Sequence, residues 1–169
     1  MIELRKITWD NWEECIDLEI TDEQDNFMAS NKYSLAQAYV AMLNDKRPPM
    51  TFAIYHNEIM VGFTMFYYQD HEENDGSDYE EKPCYTLLRF MIDKKYQGQG
   101  LGKQAMAKIL EYIKTFPHGR AACAHLSYDP KNEAARKLYK SFGFVETGEL
   151  TDDGEDAEVV AKLTLTEEK

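Results

Sequence analysis

The chain turns on one stretch, Tyr96-Gln97-Gly98-Gln99-Gly100-Leu101-Gly102-Lys103, in which three glycines alternate with other residues. The apolar run Leu87 to Ile92 leads into it and a helical pattern leads out, so it reads as strand, tight glycine turn and helix start. Glycine lets the backbone turn with positive φ and lets a ligand come close. A helix start leaves its first amide hydrogens unpaired and carries positive partial charge. Together these features make a seat for a phosphate. Spacing excludes two nucleotide seats. A dinucleotide loop needs Gly-x-Gly-x-x-Gly, and here the third glycine comes one residue early. A P-loop needs four residues before Gly-Lys-Ser/Thr; Gly98 to Gly102 leaves three, and Lys103 is followed by Gln104.

A length of 169 residues suits one domain over residues 1–169 with a single core. No apolar run approaches the ~20 residues of a membrane span. The start Met1-Ile2-Glu3-Leu4-Arg5-Lys6 has no hydrophobic signal core. The expectation is a cytoplasmic protein whose cysteines, Cys15, Cys84 and Cys123, are free thiols: their number is odd and their wide spacing matches no metal-ligand pattern. A nucleic-acid binder would show a basic patch, and none is visible in a chain of net charge −12; an acidic surface attracts cations.

Along the chain, Ile2 to Ile7 alternates as a first strand. Asp10, with Glu13 three residues on, is the expected cap of a helix carrying Trp12, Cys15, Ile16 and Ile20. After a polar joint at residues 21–26, Ser34 and Gln37 form a second capping signature. The apolar face of that helix is Leu35, Ala38, Tyr39, Met42 and Leu43, and Lys46-Arg47-Pro48-Pro49 stops it. Thr51 to Tyr55 and Ile59 to Tyr68 read as a hairpin turning at His56-Asn57-Glu58, with Gly62 marking a bulge or a close backbone approach. Gln69 to Pro83 is a loop with seven acidic residues, Glu72 and Glu73 among them, and one cation, Lys82. It is either a solvated run or a collar for a polycation; its spacing matches no EF-hand, and no metal is expected. Cys84 to Ile92 is the strand feeding the glycine loop. Beyond the loop, Ala105, Met106, Ile109, Leu110 and Ile113 form a helical stripe. Ala121 to Tyr128 is a buried strand, Asp129-Pro130 starts another helix, and Glu155 to Leu165 is the last strand.

Two motifs in this order, Gln97-x-x-Gly100-x-Gly102 and Asn132-x-x-Ala135-x-x-Leu138-Tyr139-x-x-x-Gly143-Phe144, resemble the GCN5-related N-acetyltransferases. The order of elements matches that family over essentially the whole chain. The resemblance implies an α+β fold, with a mixed, mostly antiparallel sheet of six to seven strands flanked by about four helices. It implies acetyl-CoA as co-substrate, with backbone groups of Phe90 and Ile92 on the pantetheine arm. Gln97, Gly98, Gln99, Gly100, Leu101, Gly102 and Lys103 would surround the pyrophosphate. Asn132 would contact the arm, Ala135 would leave room beside it, and the Tyr139 hydroxyl would stand near the thioester sulfur.

The chemistry implied is direct attack by an amine on the thioester. A lysine-like amine has a pKa near 10.4 and must lose a proton first. A backbone amide near Ile92 would stabilise the oxyanion, and Tyr139 would protonate the leaving thiolate as general acid. Some polyamine-acetylating relatives carry an acidic residue where this chain has Leu88, so that base is missing here; a water chain to Glu23 or to the acidic loop is an alternative. Gln24-x-x-Phe27-x-Ala29-x-x-x-x-Ser34-Leu35-Ala36 resembles the first helices of bacterial spermine/spermidine acetyltransferases. This implies an acceptor side made of Glu23, Gln24, Phe27, Glu72 and Glu73 and a polyamine or diamine as acceptor. Open alternatives are an aminoglycoside, an amino-acid-like metabolite, a protein N-terminus or lysine, and a non-catalytic acetyl-CoA sensor. The family often pairs through its sheet edges or C-terminal strands, so the resemblance allows a homodimer while the sequence itself does not set the oligomeric state; no nucleic-acid or membrane partner is expected.

Overall fold

The computed structural model describes residues 1–25, 28–70, 83–152 and 154–166. Its elements run β1 (Ile2–Lys6), α1 (Trp12–Ile16), α2 (Asp22–Asp25), α3 (Asn31–Asn44), β2 (Met50–His56), β3 (Ile59–Gln69), β4 (Cys84–Ile92), a 3-10 turn (Lys94–Tyr96), α4 (Leu101–Ile113), β5 (Cys123–Tyr128), α5 (Glu133–Ser141), β6 (Val145–Leu150) and β7 (Val159–Thr164). One seven-stranded sheet takes the order β1-β2-β3-β4-β5-β7-β6. Among the described residues only β4 and β5 pair in parallel, and every other neighbouring pair is antiparallel. The mixed α+β architecture expected from the resemblance is therefore present, with five α-helices among the described residues where about four were expected. Among the described residues no helix is long and apolar enough to cross a membrane.

The central strands are apolar on both faces because both faces are covered. In β2, Phe52 and Ile54 join the core that includes α4, while Ala53 and Tyr55 join a second core with Cys15 of α1 and, partly buried, Leu35 and Ala38 of α3. The helical stripe of α4 is buried as its spacing predicts. Each large side chain there contributes about 1.5–3 kcal/mol by leaving water. The β2–β3 turn places Asn57 and Glu58 at φ 49° and 70°, the twist a two-residue hairpin needs. Gly62 satisfies both readings of the sequence. The β2–β3 register slips beside it, and a Cβ there would stand 2.3 Å from the Met91 carbonyl oxygen.

Several local expectations are corrected. Asp10 does not cap α1: Asn11 holds the cap position without a side-chain hydrogen bond to the helix. Ser30, not Ser34, caps α3, accepting the Tyr33 amide at 3.2 Å. Ser34 is instead buried one turn in and donates to the Ser30 carbonyl. The apolar face drawn for α3 splits, because the helix starts earlier. Leu35 and Ala38 pack inward, while Tyr39, Met42 and Leu43 face solvent. Helix α5 begins after Asn132, while Asp129 accepts the Lys131 amide in the preceding turn. The three thiols are not all free. The parallel register sets Cys84 directly opposite Cys123, with Cα atoms 4.8 Å apart, and the two form a disulfide. His125 lies close to both sulfurs, whose bond leaves them spent as metal ligands. Cys15 stays free and fully buried.

Candidate active site

β4 makes the site by leaving its neighbour. It pairs with β5 only over Cys84–Leu87 against Cys123–Leu126. On its other edge Met65 pairs with Arg89 and Phe66 with Leu87, so Leu88 is an extra residue in β4. A bulge of this kind bends a strand and increases its twist. It falls just past the last pair with β5, and there the two parallel strands part.

Two joined cavities occupy the opening. The first, about 250 Å³, lies among Phe90, Ile92, Gln97, Gly98 and Gly102 on one side and Asn132, Ala135 and Tyr139 on the other. The second, about 390 Å³, is bounded by Thr86, Arg89, Ser127, Asp129 and Glu158. Phe90, Asn132, Ala135 and Tyr139 line both. Eight residues of the expected cofactor set therefore converge on one place.

The remaining residues of that set are not among those lining either cavity. Gly100 is the N-cap of α4 at φ 76°, and Leu101 packs its side chain into the core. Gln99 donates to the Lys95 carbonyl, and Lys103 is exposed in the first turn of α4. Of the acceptor set, Gln24 lines the first cavity, whereas Glu23 is exposed and lines neither. Phe27, Glu72 and Glu73 lie outside the described residues.

The glycine loop fits an anionic ligand. Gly98 and Gly100 have φ of 75° and 76°, so their lack of a side chain is explained by the turn itself. Gly102 has no such need. A Cβ there would meet nothing nearer than Ile92 Cγ1 at 3.8 Å, yet it would project into the first cavity over the start of α4. That start has no side-chain cap and no acidic residue in its first turn. Free helix amides beside open space suit a phosphate.

Two polar ties hold the loop. Gln97 Nε2 donates to the Ile92 carbonyl at 2.8 Å and to Gln24 Oε1 at 2.7 Å. Asp93, 1% exposed, accepts the Lys95 amide and, across 74 residues, the Glu19 amide, each at 2.9 Å. The first tie fastens α2, and the second the connection between α1 and α2, to the end of β4.

Tyr139 is nine-tenths buried, with the rings of Tyr128 and Phe144 at 5.6 and 5.9 Å. Burial foremost, then the charge of Glu158, holds its hydroxyl pKa well above the ordinary tyrosine value. The group is thus protonated at neutral pH, as a proton donor must be. Asn132 spends its side-chain oxygen on the Ala135 amide at 3.1 Å, capping α5.

Sequence reasoning missed Asp93, Arg89, Ser127, Asp129 and Glu158. Arg89 carried a signal, a charge inside an apolar strand. Burial pulls its guanidinium pKa down, opposed by the charge of Glu158. Glu158 carried none, because it precedes β7 and reaches the site only through the β5–β7 pairing.

The chain is similar to a spermine/spermidine N(1)-acetyltransferase of Bacillus subtilis (strain 168), 28% identical over 155 residues, which cover 91% of this chain and 94% of that one. Its fold is similar to that of a spermidine N-acetyltransferase from Vibrio cholerae solved with CoA and spermine, with TM-score 0.70, 16% identity, and coverage of 97% and 95%. It is similarly close to an aminoglycoside acetyltransferase, AAC(6')-Ib, solved with coenzyme A, with TM-score 0.71, 16% identity, and the same coverage. A profile of the acetyltransferase (GNAT) family matches residues 3–144, and with the parted β4 and β5, the glycine turn and Tyr139 in place, the chain belongs to that family.

Proposed function

We propose that this protein transfers the acetyl group of acetyl-CoA to a primary amine of a small polycation, a polyamine or diamine, and that it works in the cytoplasm. The observation that carries this reading is Tyr139 at the junction of two cavities. One cavity runs to the start of α4 and suits a phosphorylated ligand; the other bears the carboxylates of Asp129 and Glu158. The relatives named for spermine and spermidine and the net charge of −12 support a cationic acceptor.

The residues would divide the work as follows. The amides of Gly98 to Lys103 receive the pyrophosphate, and the Phe90–Ile92 edge receives the extended arm. An acceptor ammonium loses a proton, and its nitrogen adds to the thioester carbonyl carbon. The carbon–sulfur bond then breaks, the thiolate takes a proton from Tyr139, and the adduct nitrogen gives up its second proton, which restores the Tyr139 hydroxyl. Each turnover yields an acetamide, a free thiol and one proton released to water. Holding both substrates side by side supplies the proximity.

Arg89 favours a second reading. Arg89 lines the acceptor cavity, and its Nε is buried with no hydrogen-bond partner among the described residues. A cation there suits an amine that also carries a carboxylate, as in an amino-acid-like metabolite.

A thiol-release assay with acetyl-CoA tests both readings against spermine, spermidine, putrescine, an aminoglycoside, free lysine and a basic peptide. Saturable turnover of polyamines that weakens as salt rises supports the first. Preference for lysine supports the second. Tight CoA binding without any turnover would leave a sensor in place of an enzyme. A homodimer belongs to the same reading, and light scattering on the purified protein tests it.

A further inference from the structure

We propose that Glu158, held by the Ser127 hydroxyl, is the carboxylate that binds the acceptor's primary ammonium beside Tyr139. The proposal rests on the acetyl-transfer reading for its chemistry, but the binding can be measured without turnover.

The placement of Glu158 is fixed by backbone and side chain together. Its amide donates to Thr151 Oγ1 at 3.0 Å, and its carbonyl accepts the Thr151 amide at 3.0 Å, which pins the closing pair of the β6–β7 hairpin. Its Oε2 accepts the Ser127 hydroxyl at 2.5 Å across the β5–β7 pairing. The carboxylate is half-buried, and the ion pairs among the described residues do not include it. The Arg89 guanidinium feels the Glu158 charge from the same cavity but makes no ion pair with it, so the carboxylate is open to a closer cation.

A second unmet group shares its cavity. The Tyr139 hydroxyl is in a side chain nine-tenths buried and makes no hydrogen bond to a described residue. Glu158 and Tyr139 line the same cavity, and the charge of Glu158 is felt at the Tyr139 hydroxyl. One protonated amine satisfies both. Its N–H groups donate to Glu158, and its nitrogen then lies next to the hydroxyl at the mouth of the first cavity. Arg89 brings a positive charge to the same space, and Asp129 a further negative one. The seat therefore suits one ammonium at a time and leaves further amines of a polyamine outside it. The binding carboxylate thus stands across the cleft from Leu88, on the other side of the parted strands.

The test uses the full chain, with spermidine and putrescine as probes. Glu158→Gln keeps the shape and removes the charge. The expected result is at least a tenfold rise in KM for spermidine, with kcat within threefold of the parent and unchanged CoA affinity. Ser127→Ala keeps the carboxylate but frees it, and should raise KM two- to fivefold. An unchanged KM in Glu158→Gln overturns the proposal. If Glu158→Gln fails to fold, judged by lost CoA binding, Glu158→Asp replaces it. An intermediate KM rise then supports the seat, and none overturns it. If the parent turns over no amine, the functional reading fails separately, and calorimetry with putrescine in the presence of CoA decides the seat. Binding by the parent that Glu158→Gln loses supports it; equal binding by both, or none by the parent, overturns it.

Discussion

The carboxamides of Gln24 and Gln97 meet at 2.7 Å, joining α2 to the glycine loop 73 residues away. The same Gln97 nitrogen holds the Ile92 carbonyl. The residue expected to face a pyrophosphate thus also sets the end of β4. Replacing Gln97 with Ala strips a donor from two acceptors, at about 0.5–1.5 kcal/mol for each hydrogen bond. Gln97→Ala should weaken CoA binding three- to tenfold and lower the melting temperature. Gln24→Ala, which removes one of the two bonds, should do less. Calorimetry and thermal denaturation of both variants check the order.

The glycines separate by mechanism. Gly100→Ala forces a Cβ into a left-handed backbone, at about 1–2 kcal/mol, and should lower the melting temperature without ligand present. At Gly102 the nearest atom to an added Cβ is Ile92 Cγ1 at 3.8 Å, so Gly102→Val should lower the melting temperature less than Gly100→Ala does, while CoA binding falls by at least tenfold. Equal CoA affinity in Gly102→Val would remove the loop as the ligand's seat.

Tyr139→Phe keeps the ring packing and deletes the hydroxyl. CoA affinity should be nearly unchanged and kcat should drop by about 10²-fold or more. Because burial and Glu158 hold the hydroxyl protonated well past its ordinary range, kcat/KM of the parent should rise with pH as the acceptor amine deprotonates, with no fall between pH 8 and 10. A pH profile of both proteins reads this directly.

Cys15 makes stability depend on pH. Burial, then the charge of Glu14, pushes its thiol pKa up to about 12, against an ordinary thiol value of about 8.5 in the unfolded chain. The folded state therefore binds the proton more tightly. Stability is fully present below about pH 8.5 and falls as pH rises toward the folded value, by up to about 1.4 kcal/mol per unit. Chemical denaturation at pH 8, 9 and 10 should show this slope, and Cys15→Ala should flatten it despite its lower stability at pH 8.

The sequence was most readable where chemistry is local. The glycine turn, the α4 stripe and the Asn132–Tyr139 spacing are each set within one element, and they stand where spacing places them. Long-range register was not readable. Cys84 faces Cys123 because two strands 39 residues apart pair in parallel. Glu158 reaches the cleft because β7 inserts between β5 and β6. The Asp93 carboxylate looks like any loop residue until the Glu19 amide is found on it. The cap of α3 was misplaced for a subtler reason: Ser30 and Ser34 sit one turn apart, and both hydrogen-bond locally.

The parting of β4 from β5 gives this sheet a pair of edges in its interior, where a folded protein ordinarily has none. An edge invites a strand, and proteins generally cover or blunt it. Here the closed end is stapled by Cys84 and Cys123, while the open end borders the two cavities. If their guest is the thin amide-bearing arm of acetyl-CoA, it serves as secondary structure as much as substrate: a borrowed strand that completes the β-layer. Folding and occupancy would then be linked by mass action, and the resting protein would be a sheet waiting for its eighth member.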